Sequence, residues 1–300
     1  LDDKEVISHL MIYVWNKKVN WPKPESEADN LYFDYVVKRY QAYPNLIWDI
    51  SKEALAYGRD DMNYITRRID RLRKMDGHGR LLSVHDYSNC NNFPGKVDFI
   101  SIQDWQPNIY NKMLNVVKKY HKQPVFNIEH GGYERTMPYA IFDGAYNDAK
   151  VCLDRNYKCV FAGSYSTYYW QNTSWFQVVY NPSELPKENQ PKLEWYKHLH
   201  DLFKTYEFRN LIPDQSIFTT YCLTDKKSVY MFYLSDGMMS LQGDVPALRG
   251  KTVQVKWFDP LTGNYYKGEK RTFKNGSWLG MQIDKNITSP FCVAILEVLD

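Results

Sequence analysis

Hydrophobic positions in the first two thirds of the chain fall into short apolar runs, bounded by turn residues and separated by longer stretches with helical spacing. Each run reads as a strand: Val6 to Trp15, Leu46 to Ser51, Leu81 to His85, Phe99 to Gln103, Val125 to Ile128 and Cys159 to Gly163. After the first run, Leu31, Tyr35, Val36, Arg39 and Tyr40 recur with helical period until Pro44, which predicts a helix over Asp29 to Tyr43. The same pattern predicts helices over Met62 to Met75, Tyr110 to Tyr120 and Phe142 to Arg155. The stretch from Asp86 to Asp98 is rich in Asn and Gly and too short for a full helix, so one unit is degenerate. Strands alternating with crossover helices imply an α/β fold with a parallel sheet.

From Pro191 to Tyr206, Leu193, Tyr196, Leu199, His200 and Phe203 mark an amphipathic helix, and at Asn210-Leu211-Ile212-Pro213-Asp214 the pattern changes. Beyond that point come short alternating runs at Ser228 to Leu234, Thr252 to Phe258 and Phe291 to Val298. Turn signals at Ser235-Asp236-Gly237, Thr262-Gly263-Asn264 and Lys274-Asn275-Gly276 punctuate them. The expectation is a (β/α) barrel over residues 1–209 and an antiparallel β-sandwich over residues 210–300.

In parallel βα folds the loops that carry chemistry gather at the C-terminal ends of the strands. Two acids stand there: Glu53, closing Leu46-Ile47-Trp48-Asp49-Ile50-Ser51-Lys52-Glu53, and Glu129, closing Val125-Phe126-Asn127-Ile128-Glu129 before a Gly pair. A Glu at one strand end is commonly a solvated loop residue. Two of them with two strand candidates between sit on the nth and (n+3)th strands, which face one another across a closed barrel. Glycoside hydrolysis requires such a pair, one carboxyl to donate a proton and one to attack or activate water. Glu53 is the candidate donor and Glu129 the candidate nucleophile. Other polar or aromatic residues at the same ends are candidates for substrate contact: Trp15, Asn16, Lys52, His85, Asp86, Gln103, Trp105, His130 and Trp170, the last as a platform under a sugar ring.

Composition narrows the class further. Aromatic residues make 16% of the chain, with 25 Tyr, 9 Trp and 14 Phe, and flat rings with polar tips suit sugar faces, although most of them must fill the core. A net charge of +3 from 38 basic and 35 acidic residues offers no field for a polyanion, so nucleic acid is disfavoured as partner. The run Arg67, Arg68, Arg71, Arg73, Lys74 reads as a solvated helix face. Five scattered cysteines and seven dispersed histidines form no metal-ligand motif, and neither a Gly-x-Ser-x-Gly elbow nor a phosphate loop is present. No cofactor or metal is expected, and no stretch reaches the length of a membrane span.

The segments Ile47-Trp48-Asp49-Ile50-Ser51-Lys52-Glu53 and Phe126-Asn127-Ile128-Glu129-His130-Gly131 resemble the clan A glycoside hydrolases. More narrowly they resemble a bacterial apiosidase-like or cellulase-like group with a C-terminal domain labelled collagen-binding. The linker Arg209 to Gln215 and the motif Val255-Lys256-Trp257-Phe258-Asp259-Pro260-Leu261-Thr262-Gly263 are similar to the same group. The resemblance implies a (β/α)₈ barrel with the acid/base ending strand four and the nucleophile ending strand seven, retention of configuration, a complex carbohydrate substrate, and a secreted or periplasmic bacterial setting. Strands one and two would then come from a missing N-terminal segment, since residues 1–209 fall short of the roughly 250 of a full barrel. Where much of the clan has Asn before the acid/base, this chain has Lys52, which leaves an unusual or acidic glycone, or a barrel that binds carbohydrate without cleaving it, as alternatives.

Overall fold

The computed structural model describes residues 6–14, 20–55, 61–129, 133–135, 146–168, 170–171, 181–217, 220–235 and 237–299. They divide into two compact units, one of residues 1–103 and 118–128, the other of residues 104–117 and 129–300.

The first unit begins β1 (Ser8–Val14), α1 (Glu27–Tyr40), β2 (Leu46–Lys52), α2 (Met62–Met75) and β3 (Leu82–His85). β1, β2 and β3 are parallel neighbours, with Ser8 opposite Leu46 and Trp48 opposite Leu82. Leu46, Trp48, Ile50, Leu82 and Val84 share one face of β2 and β3 and are all buried, while Asp49, Ser51 and Ser83 are buried as well. A short helix, α3 (Tyr87–Asn92), occupies the stretch expected to be degenerate and leads to β4 (Ile100–Gln103). The helix α4 (Ile109–Lys119) then precedes β5 (Val125–Glu129). Ile100 donates its N–H to the Pro124 carbonyl at 2.8 Å, so β5 lines up beside β4.

Helix starts follow local chemistry. Ser26 caps α1 through the Asp29 N–H, and Asp61 caps α2 through the Tyr64 N–H at 2.6 Å. Along α2, Ile65, Arg68, Ile69 and Leu72 form the buried stripe. The basic run is therefore not wholly a solvated face. Arg67 pairs with Glu25 at the surface, whereas Arg68 is 3% exposed and pairs with Asp29, which is fully buried. Asp29 also accepts from Tyr13 Oη at 2.7 Å, Tyr64 Oη at 2.8 Å and the Glu25 N–H at 2.8 Å. One carboxylate thus ties β1, α1 and α2 together.

The second unit contains β6 (Tyr133–Arg135), β7 (Tyr146–Asn147), α5 (Ala149–Phe161), β8 (Tyr165–Ser166), β9 (Trp170–Gln171) and α6 (Leu193–Thr205). The strand expected over Cys159 to Gly163 is instead the last turn of α5 and its cap. Nearly every face of α5 is buried, including Leu153, Tyr157, Cys159, Val160 and Phe161, so its end presents a continuous apolar run that mimics a strand. Gly163 ends the helix at φ +85°, and a Cβ there would lie 2.9 Å from Pro213 Cγ, which only glycine avoids.

After Asn210 follow β10 (Ile212–Asp214), β11 (Tyr221–Thr224), β12 (Val229–Leu234), β13 (Ser240–Leu241), β14 (Thr252–Phe258), β15 (Tyr265–Thr272), β16 (Met281–Gln282) and β17 (Cys292–Val298). Six of these form an antiparallel sheet in the order β10-β11-β12-β17-β14-β15, while β13 and β16 make a separate two-stranded ribbon. The core of this part gathers Phe232, Leu234, Val253, Val255, Trp257, Phe273 and Leu296. On the sheet's opposite side Tyr233 stacks on Tyr157 of α5 at 5.0 Å, and its hydroxyl donates to Asp154 at 2.6 Å.

Replacing Asp29 by Ala would leave the Arg68 guanidinium buried beside two tyrosine hydroxyls. Removing one partner of such a pair costs about 3–5 kcal/mol. Urea unfolding of Asp29→Ala is expected to show a loss of that size, and a loss below about 1 kcal/mol would mean that the network contributes no more than a surface pair.

Candidate active site

The C-terminal ends of β2, β3 and β4 bring together Lys52, Glu53, His85, Asp86 and Gln103. The local geometry begins with an irregularity: β2 and β3 lose register between Asp49 and Lys52, with Asp49 opposite Ser83 and Lys52 opposite His85. β2 thus spends one residue more than β3 over this interval, the count of a β-bulge, which bends a strand and re-aims the side chains that follow. The buried Asp49 side chain fills the gap. Its Oδ1 accepts the N–H groups of Ser51 at 3.1 Å and of His85 at 3.0 Å, while Oδ2 lies 3.2 Å from His9 Nε2.

Directly past the bulge, Glu53 takes a left-handed backbone at φ +59°. A Glu in that region is strained, because its Cβ crowds the neighbouring carbonyl. Its N–H points to the His85 carbonyl at 3.4 Å, and Lys52 Nζ lies 3.6 Å from Glu53 Oε1. His85 is 4% exposed and places Nε2 3.1 Å from Gln103 Oε1. An amide oxygen only accepts, so Nε2 carries the hydrogen in this contact.

Asp86 is 6% exposed, and its Oδ2 accepts the Ser51 hydroxyl at 3.1 Å. Burial pushes its pKa up to about 7; the hydrogen bond from Ser51 opposes this, and the charges of Asp49 and Glu53 add to it.

The remaining candidates stand on other elements or outside the described residues. Glu129 closes β5, is 4% exposed and belongs to the second unit, whereas Glu53 belongs to the first. The Glu129 carbonyl accepts the Asp104 N–H at 3.1 Å, which sets Asp104 and the half-buried Trp105 beside it. Trp170 is half-buried on β9, in register with Glu134 of β6. Trp15, Asn16 and His130 lie outside the described residues. Two further groups were not read from the sequence, Asp49 and Arg155, whereas Asp104 lies between the candidates Gln103 and Trp105. Arg155 donates to the Gln106 carbonyl at 3.2 Å, and burial lowers its pKa. Asp49 carried a signal, a lone charge inside the apolar run Leu46 to Ile50.

Among the described residues no three His, Cys, Asp or Glu side chains are grouped as a metal site, and no helix is long and apolar enough to cross a membrane.

Parallel strands alternating with helices, polar groups at the strands' C-terminal ends and a C-terminal antiparallel sheet define an α/β fold with an appended sheet, which glycoside hydrolases of TIM-barrel type share. Solved structures with this fold include a glycoside hydrolase at 19% identity and TM-score 0.67, matched over 90% of this chain and 68% of its own. A glycoside hydrolase family 5 protein from Bacteroides vulgatus ATCC 8482 matches at 17% identity and TM-score 0.67, over 89% of this chain and 65% of its own. Another protein of that organism, provisionally classed as a glycoside hydrolase, matches at 15% identity and TM-score 0.75, over 98% of this chain and 60% of its own. The chain thus spans about two thirds or less of the length of these structures. No curated protein matches it. The chain belongs to the Apiosidase-like catalytic domain family, whose model matches residues 3–206.

The raised pKa of Asp86 has a consequence for stability. The folded chain keeps a proton that the unfolded chain releases from about pH 4 upward, so stability falls between about pH 4 and pH 7, by at most about 1.4 kcal/mol per unit. Asp86→Asn removes this contribution. Denaturant midpoints at pH 5 and pH 8 are expected to differ less in the variant than in the wild type; an equal or larger difference contradicts the assignment.

Proposed function

We propose that the protein is a retaining glycoside hydrolase in which Glu53 is the acid/base and Glu129 the nucleophile. The observation that carries this reading is the strained Glu53 backbone directly past a bulge at the C-terminal end of a parallel strand. Strain of this kind persists only where the surroundings enforce it, and it clusters at functional sites. Glu129 closes β5, the strand end at which barrel enzymes place chemistry. The reading takes β2 and β5 as the fourth and seventh strands of a (β/α)₈ barrel, with residues 1–209 catalytic and the sheet of residues 210–300 bracing them.

In the first step the Glu129 carboxylate attacks the anomeric carbon, and the glycosidic bond breaks. The departing oxygen takes the proton of Glu53, leaving a glycosyl ester on Glu129. Water then gives its proton to Glu53 and adds to the anomeric carbon, and Glu129 leaves as carboxylate. Retention of this kind requires the two carboxyl groups about 5–5.5 Å apart. Lys52, beside Glu53, suits a glycone or neighbouring unit that carries negative charge, and the family's description makes an apiosyl residue the first glycone to assay. Trp105 and Trp170 are the rings proposed to stack on sugar, with Trp15, Asn16, His85, Gln103 and His130 as polar or aromatic contacts. A complex plant or other polysaccharide, met outside the bacterial cytoplasm, is the proposed substrate.

Glu129→Ala is expected to lower turnover about a thousandfold or more, equivalent to about 4 kcal/mol of barrier. Added azide should restore product with inverted anomeric configuration, read by proton NMR. Normal turnover by Glu129→Ala, or binding of oligosaccharides by the wild type with no cleavage of any, would overturn the proposal.

A further inference from the structure

Asp86 stands at the N-cap of α3, where an Asp side chain ordinarily accepts a backbone N–H of the first turn, yet it makes no such bond. Its carboxyl turns instead toward the segment that holds Glu53. Oδ2 accepts the hydroxyl of Ser51 at 3.1 Å, two residues before Glu53, and the backbone N–H of Leu55, two residues after, is turned toward the same carboxyl and favours its charged form. The two donors bracket the one strained residue of this turn. Between them Glu53 points its own N–H to the His85 carbonyl and contacts Lys52.

We propose that Asp86 is a positioning residue, which clamps the 51–55 turn from both sides and thereby holds Glu53 in its left-handed conformation at the end of β2. This rests on the reading of Glu53 as the acid/base. Asp86 does not touch the reacting atoms; it acts through the backbone that presents Glu53. Its burial makes the carboxyl the acceptor that the interior offers Ser51, so losing it leaves that hydroxyl without this bond. The clamp is also sensitive to charge. Asp86 faces Asp49, itself 3.2 Å from His9, and Glu53 with Lys52 at 3.6 Å, while His85 adjoins it on β3 and contacts Gln103. Near pH 7 it passes from a neutral acid to a carboxylate, a form that the charge of Asp49 opposes, and the clamp changes with it.

The test compares wild type, Asp86→Ala, Asp86→Asn and Glu53→Gln on 4-nitrophenyl and phenyl glycosides of one sugar that the wild type cleaves. Phenol is the poorer leaving group and depends more on a well-placed acid. Asp86→Ala is expected to lower kcat for the phenyl glycoside by about tenfold to a hundredfold, with a smaller loss for the 4-nitrophenyl glycoside and little change in KM. Asp86→Asn keeps an acceptor for both donors and should recover most of the lost rate, with the decline on the alkaline side moved to higher pH. If Asp86→Ala fails to fold, Ser51→Ala removes one arm of the clamp and should show the same dependence on leaving group at smaller size. Equal losses on both glycosides, or a pH profile in Asp86→Asn identical to the wild type, would overturn the positioning role. Unchanged rates in Glu53→Gln would instead overturn the acid/base reading itself, and the clamp would lose its object.

Discussion

The arrangement at the end of β2 depends on one buried carboxylate, Asp49. A bulge deprives a strand of a regular ladder partner, and an amide left dry costs as much as a lost hydrogen bond. Asp49 supplies the missing acceptor twice, to Ser51 and to His85, and so welds β2 to β3 at the point where their registers diverge. Only because that junction is fixed can Glu53, Asp86 and His85 be held in one cluster. The carboxyl is itself buried, and its other oxygen lies 3.2 Å from His9 Nε2.

The sequence made some of this legible and hid the rest for identifiable reasons. The strand ends bearing Glu53 and Glu129 were readable, because apolar runs in parallel sheets stop sharply where the loop begins. Helix α2 was readable to the residue, since Asp61 and the apolar stripe mark its start and course. The bulge was not readable, because one additional residue in a strand leaves no mark in an apolar pattern. Nor was the position of α5: a helix buried on every side loses the polar face that gives helical period, and its final turn before Gly163 looked like a strand. Arg68 illustrates the converse error, for a charge within a basic run belonged to the interior once Asp29 stood opposite it.

The second unit shows a different use of polar groups. Tyr233 on the sheet stacks on Tyr157 and donates to Asp154, both on α5, so the helix that closes the βα part of the chain is held to the C-terminal sheet by flat apolar contact with a polar lock at its rim. An aromatic face needs no fixed partner, but a buried hydroxyl does. That pairing explains part of the high tyrosine content without reference to sugar, and it limits how many of the rings are left to meet a ligand.

Magnitudes decide whether the Glu53 strain is sustainable. A non-glycine residue in a left-handed conformation costs about 1–3 kcal/mol. A single neutral hydrogen bond contributes about 0.5–1.5 kcal/mol net, and one to a charged group about 1.5–3 kcal/mol. The two amides on Asp49 therefore suffice to offset the strain, but they act on Ser51 and His85, before the strained residue. Asp86 adds the Ser51 hydroxyl bond at 3.1 Å, so the chain is fixed at Ser51 from two sides and the strain falls directly past that fixed point.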